Sequence, residues 1–213
     1  MSGAQPDDAR DPDGVAAMLA ARVAPAGNAA VEAAFVATPR ADFLPPAQQQ
    51  FAAVERALPI GHGQTCSQPA AVRAMLELLD VAPGQRVLDV GAGSGWTTAL
   101  LAALVGPSGA VLGVELEPEL TRQAAARVAA TGRTWARVEQ AVPGRLGWPA
   151  EAPYDRVLVS AEAPEVPAEL LAQLAPGGVM VLPVAGRMLR VATTVGGERI
   201  ATEHGHYLFV PLR

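Results

Sequence analysis

Two stretches of the chain carry side chains at spacings that could do chemistry. The first is VLDVGAGSGW, from Val87 to Trp96: a short apolar run, then glycines at Gly91, Gly93 and Gly95, then the start of a helical pattern. A strand that turns through glycines into a helix exposes the free backbone N–H groups of the helix N-terminus, and the glycines let a ligand approach the main chain. The spacing is G-x-G-x-G. A dinucleotide fingerprint, G-x-G-x-x-G, needs its third glycine where Trp96 stands, and an indole there opposes the close helix–strand packing that glycine permits. Asp89 precedes Gly91 by two residues, where a carboxylate repels pyrophosphate and suits a cationic or amino-bearing ligand. Glu115, in VLGVELEPEL, closes the next apolar run and can accept two hydrogen bonds from a ribose diol. The second stretch is LPIGHGQTCSQPA, Leu58 to Ala70, which has no apolar period of two or of 3.6. Its short polar side chains and glycine N–H groups can orient an anion without taking a proton from it.

The elements around these residues must hold them in place. SQPAAVRAMLELLD repeats Val72, Met75, Leu76 and Leu79 on one helical face, with Ser67 where an N-cap belongs and Pro69 in the first turn. VAAMLAARVA and AAVEAAFVA read as short helices, and PRADFLPP as a Pro-bounded loop. RVLDVG, AVLGVEL, YDRVLVSA and VMVLPVAG read as strands, with TWARVEQ as a further one. WTTALLAALV, PELTRQAAARVAATG and PAELLAQLA read as helices, with PGG a turn after the last. MLRVATTVGGERIATEH reads as a hairpin turning at GG, followed by a closing strand, HYLFVPL. Apolar strands that alternate with helices predict a doubly wound, Rossmann-like α/β fold. Its mostly parallel sheet has helices on both faces, antiparallel C-terminal strands and an N-terminal helical segment.

The composition sets outer limits. The chain has 213 residues, half of them hydrophobic, a net charge of -5, no Lys and a single cysteine, Cys66. That is enough for one domain with a substantial core. It argues against a nucleic-acid partner, an internal disulfide and a cysteine-based metal cluster. No apolar run is long enough to span a bilayer, and the acidic start lacks a secretory pattern, so no membrane partner and a cytoplasmic location are expected. Residues 1–14 are expected to be a disordered tail. Residues 15–213 are expected to form a single domain, divided into a helical and substrate-groove segment over 15–80 and a cofactor-binding core over 81–213. A monomer is the expected form.

S-adenosylmethionine carries an ammonium and a sulfonium and no phosphate, so it is the ligand that suits Asp89, Gly91, Gly93, Ser94, Gly95 and Glu115. LPIGHGQTCSQPAAV then closely resembles the signature of protein-L-isoaspartate O-methyltransferases. AFVATPRADFLP, YDRVLVSAEAPEVPAELLAQLAPGGVMVLPV and the terminal FVPL resemble further family segments in the same order, so the likeness covers nearly everything after Val31. The resemblance implies methyl transfer from S-adenosylmethionine to the free α-carboxylate of L-isoaspartyl residues in damaged proteins and peptides. The ester then collapses unaided to a succinimide that opens partly to normal aspartate. It implies Ser67 as the active-site serine, with Gln64, Thr65, His62 and Val210 beside the substrate, and Gly144 near the cofactor. No metal is expected: His204 and His206 lack a third ligand.

Four positions stay open. Trp96 can pack in the core or touch adenine. Ser67 can cap a helix or bind substrate. The family's usual GDG is Val142, Pro143 and Gly144 here, and proline supplies neither a side-chain acceptor nor an N–H. Glu162 stands where the family commonly has Ala, and facing the site it would repel a carboxylate substrate. Two rival readings follow: a carboxyl methyltransferase specialised for aspartate in a precursor peptide, and a non-catalytic relative that binds cofactor or peptide.

Overall fold

The computed structural model describes residues 26–194 and 196–213; the expected tail over 1–14 and the helix over 15–24 lie outside them. Helix α1 spans Ala26–Ala37, and a 3-10 turn at Arg40–Phe43 and a short helix α2 at Pro46–Gln49 follow. PRADFLPP is therefore not wholly irregular. Prolines at positions 45 and 46 start a helical turn, because proline is preset for the first helical position and needs no N–H partner there.

LPIGHGQTCSQPA is a two-stranded antiparallel hairpin, β1 Leu58–Gly61 and β2 Gln64–Cys66. This corrects the expectation of no regular structure: Leu58 and Ile60 are buried while Pro59 and Gly61 are exposed, an alternation only four residues long. Its turn places His62 and Gly63 at positive φ, 54° and 70°, which suits the right-handed twist of a tight hairpin. Helix α3, Pro69–Leu79, buries the Val72, Met75, Leu76 and Leu79 face.

Seven strands form the main sheet: β3 Arg86–Val90, β4 Ala110–Glu115, β5 Ala136–Gln140, β6 Tyr154–Val159, β7 Leu174–Val184, β8 Arg187–Thr193 and β9 Arg199–His206. Their order is β5-β4-β3-β6-β7-β8-β9, parallel as far as β7 and antiparallel beyond it. Helices α4, Trp96–Val105, and α5, Pro118–Ala130, connect the parallel strands. The strand residues alternate between two cores. Val87, Val111, Leu158 and Val181 face the helical side, where α3, α4 and α5 pack. Leu88, Leu112, Val157 and Met180 face the other side, which is covered by Leu170 of the one-turn helix α6, Ala168–Leu171, and by Leu146, Trp148 and Ala152. α4 is buried on nearly every side because it lies between the sheet and α1, so its sequence is apolar all round.

Two C-terminal expectations change. The helix expected over PAELLAQLA ends at Leu171, and β7 starts at Leu174 and absorbs PGG as an irregularity: Tyr154 pairs with Leu174, and Arg156 next with Val179. The expected closing strand is a single bridge, Glu162 to Pro211, because Pro211 has no N–H with which to extend a ladder. The hairpin before it forms as expected.

Candidate active site

Strand order reverses at β3, which has β4 on one side and β6 on the other, so the crevice beyond their carboxyl ends is where a ligand belongs. The glycine turn lies there. Glu115, 6% exposed, receives the Gly93 N–H at 2.8 Å on Oε2 and the Glu117 N–H at 2.9 Å on Oε1. Its carboxylate thus occupies the anion position at the mouth of α4, with lone pairs left to accept from a ligand diol. A pyrophosphate would meet a negative charge there.

The other glycine-turn residues divide. Gly91 and Gly93 line the pocket, both at positive φ. Gly95 does not: a Cβ on it would stand 3.1 Å from Ala124 O and from Val128 Cγ2, so its job is the close approach of α4 to α5. Ser94 is buried and not in the pocket wall. Asp89 sits behind the turn, fully buried, where Thr97 and Thr98 each donate to its Oδ2 at 2.7 Å. Burial pushes its carboxyl up to about 6, against the two threonine hydrogen bonds and with the help of the Glu115 charge. The position expected to face a cation therefore faces the base of α4. Gly144 is outside the wall too, although Val142 and Arg145 of the same turn line it. Trp96 packs in the core: its indole donates to Thr38 O at 3.0 Å and meets Phe35 edge-on.

A second, broader groove of about 790 Å³ opens beside the first. Ser67 lines it with Gln68, Tyr207, Leu208 and Phe209. The Ser67 cap reading is corrected here. Pro69 forces Gln68 into an extended N-cap conformation without a side-chain bond, and the free Ala70 N–H goes to Glu55 Oε2 at 2.9 Å. Gln64 lines the first pocket, and Thr65 and Val210 line both. His62, at the hairpin tip, lines neither; its Nδ1 lies 3.3 Å from Glu117 Oε1. No carboxylate is among the groove-lining residues. Glu162 lies next to the groove rather than in its lining: its Oε2 accepts the N–H of the groove residue Phe209 at 3.5 Å, while its own N–H donates to Val210 O and its carbonyl accepts from Leu212 N, each at 2.8 Å, which ties down the last segment.

Three supporting residues were not singled out from the sequence. Arg40, 6% exposed, donates to five backbone carbonyls, among them Cys66 O at 2.9 Å and Ser67 O at 2.8 Å, and so holds the end of the hairpin. Gln173, buried, accepts from Trp148 N at 2.8 Å and donates to Leu146 O at 2.9 Å, which fixes one edge of the first pocket. Ser160 lines both pockets. All three fall inside segments the resemblance had marked, Arg40 in AFVATPRADFLP and both Ser160 and Gln173 in YDRVLVSAEAPEVPAELLAQLAPGGVMVLPV, and Ser160 also stands at a strand end.

What the first pocket turns away narrows the class. With a carboxylate at its phosphate position and open main chain at Gly91 and Gly93, it suits a nucleoside that bears no phosphate, and S-adenosylmethionine fits that description. The fold and pocket are those of a Rossmann-like, S-adenosylmethionine-dependent methyltransferase. Residues 19–213 match the model of the protein-L-isoaspartate(D-aspartate) O-methyltransferase family, and the chain belongs to that family. A Methanopyrus kandleri protein-L-isoaspartate O-methyltransferase is 46% identical over 186 residues, covering 85% of this chain and 82% of that one. Protein-L-isoaspartate O-methyltransferase 1 of an Anaeromyxobacter species is 44% identical and covers 93% and 95%. Among solved structures, a Plasmodium falciparum protein described as a member of this family, bound to S-adenosyl-L-homocysteine, superposes with a TM-score of 0.74 at 20% identity. It covers 93% of this chain and 96% of that one, and shows the shared fold.

Proposed function

We infer that this protein transfers the methyl group of S-adenosylmethionine to the free α-carboxylate of L-isoaspartyl residues in damaged proteins and peptides, the first step of their repair. One observation carries the reading: a pocket suited to the nucleoside and a carboxylate-free groove share a wall of only three residues, Thr65, Ser160 and Val210. A donor on one side and an anionic acceptor on the other can meet there.

S-adenosylmethionine, when bound, supplies a methyl group on a positively charged sulfur leaving group. In our reading Glu115 accepts from the ribose, and Gly91 and Gly93 admit the nucleoside to the main chain. Ser67 donates a hydrogen bond to the substrate carboxylate, and Gln64, Thr65 and Val210 shape the junction. An α-carboxylate with a pKa of about 3.5 is ionised at neutral pH, so no residue has to take a proton. What remains is alignment, which can supply on the order of 7–11 kcal/mol. Leu208, 94% exposed at the groove, offers an apolar contact to the peptide flanking the damaged residue. The expected division at residue 80 does not separate the two sides: segment 15–80 supplies Ser67 and Gln68 to the substrate groove, but Tyr207, Leu208 and Phe209 complete it, and Gln64 and Thr65 reach the cofactor pocket that 81–213 otherwise forms. No helix among the described residues is long and apolar enough to cross a membrane, and we place the enzyme's work on cytoplasmic proteins, as a monomer.

Radiolabelled methyl transfer to an isoaspartyl peptide, with its aspartyl twin as control, tests the function. Label on the isoaspartyl peptide alone is the expected result; label on the aspartyl peptide alone refutes it in favour of a precursor-specific enzyme. Ser67→Ala is expected to lower kcat/KM roughly tenfold or more, the worth of one hydrogen bond to a charged group. Unchanged turnover removes Ser67 from the site.

A further inference from the structure

His62 lies at the tip of the β1–β2 hairpin and lines neither pocket, yet its side chain is engaged. Its φ is 54°, and Gly61 and Gly63 on either side are also at positive φ. Asn, Asp and Gly are the usual occupants of such a tight turn, so it is the imidazole that sets this one apart. The ring reaches across to the start of α5, where Nδ1 lies 3.3 Å from Glu117 Oε1; the two side chains are 40% and 29% exposed. Among the described residues this is the only ion pair the hairpin makes. Glu117 is tied to the first pocket through its main chain. Its N–H donates to Glu115 Oε1 at 2.9 Å, and Glu115 Oε2 accepts from the Gly93 N–H at 2.8 Å. A continuous set of contacts therefore runs from the hairpin tip through Glu117 and Glu115 to the glycine turn. Gln64 and Thr65, which follow the tip directly in the chain, form one wall of the first pocket, and Glu115 and Leu116 form another.

We propose, on the S-adenosylmethionine reading of the first pocket, that His62 is a positioning residue: its contact with Glu117 sets the separation of the hairpin wall from the Glu115 wall, and thereby how tightly the nucleoside is held. His62 acts through Gln64 and Thr65, whose places follow from that of the tip, and through Glu117, whose main chain fixes the carboxylate read as the ribose acceptor. The contact needs a proton on Nδ1, which the imidazolium and one neutral tautomer both carry. No bond forms or breaks at His62, and no proton leaves it during methyl transfer.

Two substitutions of the same shape separate this role from a turn preference. Asn and Asp both tolerate positive φ, and both favour such a turn before glycine. Asn carries an N–H the same number of bonds from the backbone as Nδ1, whereas Asp sets a carboxylate against Glu117. In the full chain, His62→Asn is expected to bind S-adenosylhomocysteine within about twofold of wild type by calorimetry. His62→Asp is expected to lose about 3–5-fold, the size of one partly exposed charge pair turned repulsive. The same factor is expected in the KM for S-adenosylmethionine, with kcat at saturating donor and the KM for an isoaspartyl peptide unchanged. Adding Glu117→Gln to His62→Asp removes the repulsion, keeps the N–H that Glu115 accepts, and is expected to restore the affinity to within about twofold. Glu117→Ala removes the acceptor and keeps that N–H; it is expected to lose about 2–3-fold, and it decides the matter should His62→Asp not fold. Equal affinities for the Asn and Asp variants, a loss that Glu117→Gln leaves in place, or a change confined to kcat or peptide KM overturns the proposal. A wild-type protein that binds S-adenosylhomocysteine but methylates no isoaspartyl peptide sinks the substrate reading alone, and the affinities still decide the role of His62. Failure to bind S-adenosylhomocysteine at all overturns both.

Discussion

Replacing Arg40 by Lys keeps the charge and is nonetheless expected to disable the enzyme. Among the described residues Arg40 pairs with no carboxylate; its guanidinium is held by hydrogen bonds to five carbonyls, those of Ala52, Val54, Arg56, Cys66 and Ser67, at 2.8 to 3.2 Å. It also lies over the Trp96 ring, 5.5 Å from the centroid. An ammonium has three donors on one atom and cannot span that set, so at least two carbonyls lose their partner. Hydrogen bonds to a charged group are worth roughly 1.5–3 kcal/mol each, and the outer carbonyls are partly open to water, so a loss of about 2–4 kcal/mol in folding stability is expected. The functional effect is sharper. The bonds to Cys66 O and Ser67 O fix the end of the hairpin in the groove wall. A displacement of about 1 Å at Ser67 costs on the order of 100-fold in kcat. Glu115 and the glycine turn do not touch Arg40, so S-adenosylhomocysteine affinity is expected to stay within about threefold. Denaturant unfolding, calorimetry and steady-state kinetics on an isoaspartyl peptide give the three numbers. A stable Arg40→Lys variant with kcat within twofold of wild type would falsify the claim that Arg40 sets the Ser67 position.

Other outcomes follow from single residues. Asp89 holds its proton more tightly folded than unfolded, so its contribution to stability is complete below pH 3.8 and is lost as pH rises through about 6. The stability of the wild type relative to Asp89→Asn, measured by urea unfolding, is therefore expected to fall by about 3 kcal/mol between pH 3.5 and 7, and a flat difference sinks the assignment. Glu115→Ala removes the acceptor of the Gly93 and Glu117 N–H groups and of the ribose, and is expected to weaken S-adenosylhomocysteine binding about 100-fold by calorimetry. Gly95→Ala puts a Cβ 3.1 Å from Ala124 O at a φ of +87°, and is expected to cost about 2–3 kcal/mol in thermal unfolding.

The parallel core was legible in the sequence because a strand buried on both faces reads as a continuous apolar run. RVLDVG, AVLGVEL and YDRVLVSA each coincide with an observed strand. Errors gathered where local pattern and long-range pairing disagree. The first hairpin alternates for too few residues to register as a strand. PGG looks like a turn, and becomes part of β7 because β6 pairs on both sides of it. FVPL looks like a strand, and Pro211 denies it a ladder.

By itself, then, the sequence determined the βαβ order, the glycine turn with its distant carboxylate, and the polar LPIGHGQTCSQPA signature though not its hairpin form, since each is written in residues close along the chain or at a regular period. Only the folded chain decided which way each side chain looks. Asp89 and Glu115 read as one acidic pair, but the strands set Asp89 behind α4 and Glu115 in the pocket, because the first points under the turn and the second ends its strand beneath Gly93. Ser160 and Arg40 became visible for the same reason. One lies 95 residues from Thr65 in sequence and the other reaches 27 residues to Ser67, and such separations close only when the sheet and hairpin are in place.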